Sequence, residues 1–472
     1  MSADAGATAT VVAERPTPGE PRPYHFPGFD RVVLDNGLGV IEVDLPGREL
    51  VSASLVLPSG AADEHESEAG VTTLMARALS EGTQRRSAIE LVEATERLGA
   101  SLHAEAGWDA ISVGIEVPVG RLAAALDLMA EVLAEPTFPA HEVDRLREER
   151  LNDILQAKAD PRRRAEEGFV DTVYQPSSPY RRPASGVRET VELLNADACR
   201  DLLGRRFDPA RMTLIVGGDL EDVDVAGLAA ERFAAWSASR TAELPGTIPA
   251  GSALDGLDQR LVRVFHRPGS VQTEIRIGHL GLPRRIDDFH AVSVMSAILG
   301  GLFNSRLNKK LREEKGYTYG ASAGFDLRRA AGPFAARTAV NTEVTVPATL
   351  DMLHELERIG SEDVTDDELR AARDFLVGVF PLRFETPPAV VGSIGGLIVH
   401  GLPNDELNRY RPAIEAVTVQ AVHRAAVAHV RPASAAIVLV GDADAFLPAL
   451  EAEGLGRIVV ERVDGSPSAD GR

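Results

Sequence analysis

Arg312 and Tyr319 are the two side chains whose types and spacing point most directly to chemistry. They form an Arg-x6-Tyr pair in the run LNKKLREEKGYTYGASAGFD, where a helix is expected to end and a strand to begin. A guanidinium is a planar, permanently charged fork of donors, and a phenol can donate one hydrogen bond. Together they suit the holding of a peptide carbonyl. The alternative is an arginine that complements its helix dipole beside a half-buried tyrosine.

The helix expected to position Arg312 runs from Leu299 to about Glu314. Apolar residues recur at spacings of four along one stripe, which is typical of an amphipathic helix: Phe303, Leu307 and Leu311. Gly316 supplies the left-handed residue that commonly ends a helix. The β-prone run Tyr317-Thr318-Tyr319 follows it. This junction therefore predicts that the guanidinium and the phenol are directed towards one point.

Composition limits the classes of function. A chain of 472 residues is too long for one hydrophobic core, so two domains are expected. A net charge of −21 disfavours nucleic acid and anionic membrane surfaces as partners. The single cysteine, Cys199, excludes an internal disulfide and a cysteine-rich metal site. With no secretory signal and no apolar run of membrane-spanning length, we expect a cytoplasmic location.

The chain contains a weak internal repeat with a period of a whole domain. The segment RFDPARMTLIVGGD ends at Asp219, and VRPASAAIVLVGD ends at Asp442, 223 residues later. Charged amphipathic helix patterns also recur, at 138–155 and 364–380. A repeat of this length favours a duplicated fold over a solenoid.

Local signals within the first half mix strands and helices. Asn36-Gly37 predicts a hairpin, and 50–58 and 109–117 are strand-like. A capping box, Ser87 with Glu90, predicts the start of a helix that Gly99 ends, and 121–134 is a second amphipathic helix. Hairpins without regular βα alternation favour an α+β class, with two duplicated domains, each a largely antiparallel sheet packed with helices.

The predicted domain boundaries follow from these patterns and from composition. They are a flexible Pro-rich tail at 1–28, a first domain at 29–237, a Pro/Gly/Ser/Ala linker at 238–256, a second domain at 257–463 and a short polar tail at 464–472.

The chain resembles the pitrilysin/insulinase family of zinc peptidases (M16), in its branch with half-length subunits. The resemblance covers about residues 29–460 and is carried by three segments. These are LGGLFNSRLNKKLREEKGYTY, which resembles the family's second-domain signature, PGSVQTEIRIGHLGLPR and QPSSPYRRPASGVRETVELL. The resemblance implies the M16 peptidase-like fold.

Active members of this family carry His-x-x-Glu-His on a helix, with a further glutamate downstream, because two histidines one turn apart hold zinc beside a general base. In this chain the matching helix is GVTTLMARALSEGT, and its final Glu-Gly-Thr sets the register. The resemblance places Thr73 and Arg77 at the two histidine positions and Ala76 at the base. Asp153, 76 residues after Arg77, falls where the third ligand is expected.

These substitutions predict that the chain binds no metal. Threonine and alanine offer neither an imidazole nor a base, and Arg77 would put a fixed cation where zinc should lie. None of the eleven histidines is four residues from another, so no helix can carry the required pair elsewhere.

The half-length branch includes heteromeric enzymes in which one subunit carries zinc and the other keeps the Arg/Tyr pair. The resemblance therefore implies a homologous partner with an intact His-x-x-Glu-His, zinc in that partner, and a peptide or unfolded-protein substrate held by Arg312 and Tyr319. Two alternatives use the same scaffold: an inert structural or assembly subunit, as in respiratory complexes, and a peptide-binding module that does not cut.

Overall fold

The computed structural model describes residues 19, 22–234, 236, 246–257 and 259–462. The predicted tail at 464–472 lies outside the described residues, as does the part of the predicted linker from 238 to 245. The described chain contains two six-stranded sheets with helices packed on them.

The first sheet is built from β1 (Asp30–Val33), β2 (Gly39–Asp44), β3 (Leu50–Leu57), β4 (Ser101–Ala106), β5 (Ile111–Pro118) and β6 (Thr213–Gly218). The second is built from β7 (Leu261–His266), β8 (Gln272–Leu280), β9 (Ala321–Phe325), β10 (Pro333–Asn341), β11 (Ala436–Gly441) and β12 (Arg457–Glu461).

The helices of the first half are α1 (Val71–Ala78), α2 (Ala88–Arg97), α3 (Leu122–Ala134), α4 (Ala140–Ala159), α5 (Pro161–Val173), α6 (Arg188–Val191), α7 (Ala196–Arg206) and α8 (Val225–Arg232). Those of the second half are α9 (Phe289–Ser296), α10 (Arg306–Asn308), α11 (Thr345–Ser361), α12 (Asp366–Val379), α13 (Pro387–His400), α14 (Glu406–Glu415), α15 (Val419–His429) and α16 (Ala443–Ala452). Among the described residues, no helix combines the length and the hydrophobicity needed to span a bilayer.

Five of the six strands in each sheet repeat one topology, which confirms the predicted α+β class and duplication. Their strand orders are β1-β2-β6-β3-β5-β4 and β12-β7-β11-β8-β10-β9. In each sheet a parallel pair, β2 with β6 or β7 with β11, continues into an antiparallel series. The sheets differ at one edge, where β1 pairs antiparallel with β2 but β12 pairs parallel with β7. The repeated sequence segments are β6 and β11. The aspartates that follow them, Asp219 and Asp442, accept equivalent backbone hydrogen bonds from Gly47 and Gly269, each at 2.9 Å.

The local predictions in the first half are also confirmed. Gly37 (φ 90°) lies in the turn between the antiparallel strands β1 and β2. Ser87 and Glu90 form the capping box of α2, and Gly99 (φ 65°) follows its end. The predicted strands at 50–58 and 109–117 correspond to β3 and β5, and the helix predicted at 121–134 to α3.

Each half contributes one helix that packs on the sheet of the other half. Phe169, on α5 of the first half, lies in an apolar cluster with Val438 and Val440 of the second sheet. Val391, on α13 of the second half, packs in the same way with Ile215 of the first sheet. Each sheet therefore depends on the other half to cover one of its faces, so the halves are expected to unfold together.

The predicted flexible tail at 1–28 is wrong for residues 24–28. Phe26 is only 3% exposed, and its backbone N–H donates to Asn408 Oδ1 at 2.7 Å. Tyr24 stacks on Phe384 with ring centroids 5.9 Å apart. Two aromatic side chains in a proline-rich run supply enough apolar surface to dock that run on the second half.

The second half of the predicted linker also packs. Gly251 accepts a hydrogen bond from the backbone N–H of Gln175 at 3.0 Å, just after α5, and Leu254 is buried. Composition alone did not reveal these contacts, because they depend on residues about 75 positions away.

The single helix predicted from Leu299 to Glu314 is wrong. The helix begins earlier, as α9, and ends in a π turn at Ala297–Gly301; the chain resumes as α10 and a second π turn at Lys309–Glu314. Gly300 lies so close to β9 that an added Cβ would be 2.2 Å from the Ala323 nitrogen. The interruption separates Phe303, which is 68% exposed, from the buried Leu307 and Leu311.

Candidate functional site

The segment that carries Arg312 is anchored to the second half by two buried side chains. The Arg306 guanidinium on α10 is buried and forms a two-pronged ion pair with Glu368 on α12, with N–O distances of 2.7 and 3.0 Å. The Asn308 side chain donates to the Leu302 carbonyl at 3.2 Å and accepts the Ala321 N–H at 2.9 Å. These contacts fix the helical segment relative to strand β9 on the far side of the junction.

Arg312 itself is exposed and lies over an aromatic ring. Its Cζ is 4.4 Å from the centroid of Phe303, the same residue that the interrupted helix leaves on the surface. Its side chain forms no hydrogen bond or ion pair with another described residue. A guanidinium stacked on a ring keeps its N–H donors free at the edge of the plane. The Phe303 ring therefore orients the Arg312 guanidinium, while no described carboxylate pairs with its charge.

Tyr319 lies at the tip of a turn whose backbone is fixed. Thr338 Oγ1 on β10 donates to the Gly320 carbonyl at 3.1 Å and lies 3.0 Å from Thr318 Oγ1, on the two sides of Tyr319. The tyrosine is 95% exposed, in contrast to the half-buried residue of the alternative interpretation. Gly316 has φ 65°, as predicted for the residue that ends the helix. Arg312 and Tyr319 thus both lie on the surface beside one loop, without direct contact between their side chains.

The Arg306–Glu368 ion pair, which fixes the segment carrying Arg312, should be sensitive to acid because it requires an ionised Glu368. Burial alone would raise the pKa of Glu368, but hydrogen bonds from Arg306 and from the Thr365 N–H outweigh it and lower the pKa to about 2. A folded-state pKa below the ordinary value means that ionisation stabilises the fold. This contribution is complete above the unfolded-state pKa and is lost as the pH falls towards 2.

We therefore expect Glu368→Gln to lower the free energy of unfolding by about 2–3 kcal/mol at pH 7. Urea unfolding across pH should show the difference from wild type shrinking below about pH 4.5, the ordinary glutamate range. Asp367→Asn, at a highly exposed neighbour on the same helix, is the matched control and should change little. A Glu368→Gln effect of equal size at pH 7 and pH 3 would contradict the ion-pair interpretation.

The three positions assigned to the zinc motif lie on α1, which packs beside α4. Thr73 Oγ1 donates to the Ala184 carbonyl at 3.2 Å, and Ala76 is buried. Arg77 Nη2 lies 2.7 Å from Glu149 Oε2 on α4. An ion pair therefore occupies the place between these two helices, where the resemblance expects ligands.

Asp153 is also engaged by cations. Its two carboxylate oxygens accept hydrogen bonds from Arg163 at 2.7 and 2.9 Å, and Arg150 forms a further short contact. The hydrogen bonds from Arg163 hold the pKa of Asp153 below its usual range. Arg77 pairs with Glu149, one turn before Asp153 on α4, a partner that the sequence register did not identify. With one carboxylate locked by arginine and no imidazole on α1, this set of residues does not fit zinc.

Comparison with known proteins identifies the family of this chain. Two family models match, Insulinase (Peptidase family M16) over residues 40–182 and Peptidase M16 inactive domain over residues 194–376. The chain belongs to the M16 peptidase family. The placing of Thr73, Ala76 and Arg77 within the zinc motif still depends on the register set by the sequence.

Relatives of this M16 chain carry different descriptions. It is 24% identical over 415 residues to an uncharacterized zinc protease of Mycobacterium leprae, covering 85% of this chain and 89% of that protein. It is 22% identical over 361 residues to the non-peptidase homolog YmxG of Helicobacter pylori, covering 74% and 79%.

Solved structures share the fold of this M16 chain. A peptidase M16 inactive domain from Pseudomonas fluorescens has a TM-score of 0.80 at 24% identity, covering 88% of this chain and 98% of that one. A protease from Helicobacter pylori has a TM-score of 0.82 at 18% identity, covering 88% and 100%.

A second possible metal group in this M16 chain is His266 with Asp442 and Asp444, the only such group among the described residues. His266 Nδ1 accepts the Ala443 N–H at 3.1 Å, so the proton of the neutral ring lies on Nε2. Asp442 Oδ2 already accepts the Gly269 N–H. The Nδ1 nitrogen and one carboxylate are therefore committed to hydrogen bonding at the end of β11, which favours a structural role.

Proposed function

We propose that this chain is the non-zinc-binding, substrate-binding subunit of a heteromeric M16 metallopeptidase. Arg312 and Tyr319 would hold a peptide at the zinc site of a homologous partner that has an intact His-x-x-Glu-His. The observation that carries the proposal is the exposure of both side chains beside one anchored loop, with neither used by the chain's own fold.

The anchoring of this loop supports a role in binding. Three contacts restrain the backbone around Arg312 and Tyr319: the Arg306–Glu368 ion pair, the Asn308–Ala321 hydrogen bond and the hydrogen bond from Thr338. A surface loop that had no function would gain nothing from a 95% exposed tyrosine at its tip. A backbone that is fixed before the ligand binds, with side-chain donors left free, lowers the entropic cost of binding.

The chemistry of the pair fits the main chain of a peptide. The Tyr319 hydroxyl can donate to a carbonyl oxygen on which negative charge develops during cleavage. The Arg312 fork can donate to neighbouring main-chain carbonyls while Phe303 supports its plane. The partner would supply zinc and the hydrolytic water. Binding through main-chain groups predicts loose selectivity for substrate side chains.

The ion pairs at the degenerate zinc site support the proposal that the partner, and not this chain, binds zinc. Arg77, which the sequence register assigns to the motif's second histidine, is paired with Glu149, and Asp153 is paired with Arg163. Membership in a family that includes a model described as an inactive domain, and likeness to a non-peptidase homolog, are in keeping with this.

The proposal is tested by separating the chain from its partner. Purified alone, it is expected to contain far less than one zinc per chain by elemental analysis and to leave a fluorescence-quenched unfolded peptide intact. Co-purification from the native cells should recover a chain with His-x-x-Glu-His, and the mixture should cleave the peptide in a chelator-sensitive manner. Chelator-sensitive cleavage by the homogeneous chain would refute the proposal. A partner that is fully active alone would leave this chain an assembly role.

A further inference from the structure

A cavity of about 310 Å³ lies between the two halves of the chain, next to the degenerate zinc site. Ala184, whose carbonyl accepts the Thr73 hydroxyl, is part of its wall, as is Arg163, the partner of Asp153. Its aromatic wall consists of Trp108, Phe169 and Tyr180 from the first half. The second half contributes Asp326, Arg328, Pro333 and Arg337 from the end of β9 to β10.

Arginines are concentrated in the wall of this cavity. Four arginines line it, Arg163, Arg182, Arg328 and Arg337, beside three carboxylates, Glu166, Glu167 and Asp326. Guanidinium groups beside aromatic surface favour a ligand that is anionic at one end and apolar at the other.

Three of the four arginines are committed to carboxylates. Arg163 is bound to Asp153, Arg182 Nη2 lies 3.3 Å from Glu64, and Arg328 Nη2 lies 2.6 Å from Asp326. The Arg328 guanidinium also lies over the Tyr180 and Trp108 rings, at 4.7 and 5.1 Å from their centroids. These ion pairs hold the three side chains in place, and Arg328 Nη1 is still buried without an acceptor.

Arg337, the fourth arginine, has no ion pair at hydrogen-bond distance. Its closest carboxylate oxygen is Glu166 Oε1, 3.8 Å from Nε, which is too far for a hydrogen bond. That oxygen already accepts a hydrogen bond from Arg276 Nε at 2.9 Å. The Arg337 Nε is buried without an acceptor, while the side chain as a whole is 43% exposed. A guanidinium that faces a cavity with unused donors requires an acceptor, and a carboxylate matches its planar fork.

We propose that this cavity binds a carboxylate-bearing peptide group, with Arg337 pairing the carboxylate and the Trp108, Tyr180 and Phe169 rings packing on the apolar remainder. The carboxylate belongs either to a free C-terminus or to an acidic side chain. This site lies wholly within one chain and is separate from the proposed contact at a partner's zinc, so it stands or falls independently of it.

Trp108 makes the site measurable in the purified chain. The protein has two tryptophans, and Trp236→Phe leaves Trp108 as the only reporter. Four probes separate the sources of the carboxylate: N-acetylphenylalanine against its amide, and N-acetyl-Phe-Glu-amide against N-acetyl-Phe-Gln-amide. At least one acid is expected to change Trp108 fluorescence and to bind about tenfold or more tightly than its matched amide, the scale of one charge-assisted hydrogen bond.

Arg337→Gln in the same background should remove the preference for the acid, and Arg337→Lys should retain part of it. Arg370→Gln, at an exposed arginine on α12, is the matched control and should leave the preference intact. Circular dichroism and thermal unfolding verify that each variant is folded. Equal binding of acids and amides, an acid preference that survives Arg337→Gln, or no response of Trp108 to any probe at millimolar concentration would each overturn the proposal.

Discussion

Arg312→Ala and Tyr319→Phe are each expected to lower peptide cleavage by the proposed heteromeric enzyme by about 10²–10³-fold, the usual cost of losing one donor at a developing oxyanion. The tyrosine change removes only a hydroxyl from a 95% exposed side chain, so stability should not change. If Tyr319 acts mainly on the transition state, its loss should appear in kcat. In the proposed function Arg312 holds main-chain carbonyls before and during cleavage, so its loss should appear also in KM.

Matched controls are available on the same domain. Tyr317→Phe removes a hydroxyl two residues away, from a ring that packs on the second core, and Arg370→Ala removes an exposed guanidinium remote from the loop. Both should retain nearly full activity. Cleavage is measured with the reconstituted pair at several substrate concentrations. Full activity in an Arg312→Ala/Tyr319→Phe double variant would eliminate the substrate-binding role and favour an assembly function.

The second large effect concerns metal binding. Introducing the family motif by Thr73→His, Ala76→Glu and Arg77→His should create two imidazoles one turn apart on α1, yet zinc binding should stay weak. The reason is that Asp153 is held by Arg163 through hydrogen bonds of 2.7 and 2.9 Å. Adding Arg163→Ala should tighten zinc binding by about 10–100-fold, since the Arg163 hydrogen bonds, of about 1.5–3 kcal/mol, no longer compete for the carboxylate and only the Arg150 contact remains.

Competition with a fluorescent zinc chelator measures each affinity. Within the four-substitution background, Asp153→Asn should reverse the gain, and Glu149→Gln should not. The opposite result would show that Glu149, the carboxylate that Arg77 contacts in the structure, is the third ligand position and that the sequence register is wrong there. Tight zinc binding by the unmodified chain would contradict the fit of these residues.

The elements and the duplication could be predicted because their signals are local. An Asn-Gly turn, a capping box and Gly316 act on their immediate neighbours, so the hairpin, α2 and the end of the Arg312 segment were found correctly. The repeated run at β6 and β11 survives because each strand must fit the same interior position of its sheet.

The sequence wrongly predicted one long helix before Arg312. Apolar residues four positions apart lie on one face only if the helix between them is continuous. The close approach of Gly300 to β9 interrupts it, so Phe303 is placed under Arg312 on the surface and not beside Leu307 in the core. The docking of Phe26 on α14 was missed for a related reason, since its partner Asn408 lies 382 residues away.

The sequence alone determined the residue types on which the chemistry depends: a guanidinium and a phenol seven positions apart, and a threonine, an alanine and an arginine where the resemblance expects zinc ligands and a base. Tertiary structure decided which of these groups are free. It left Arg312 and Tyr319 exposed, paired Arg77 with Glu149, and left Arg337 facing a cavity without an acceptor. The availability of a donor depends on neighbours that are distant in the chain, and a local pattern of residues carries no information about those neighbours.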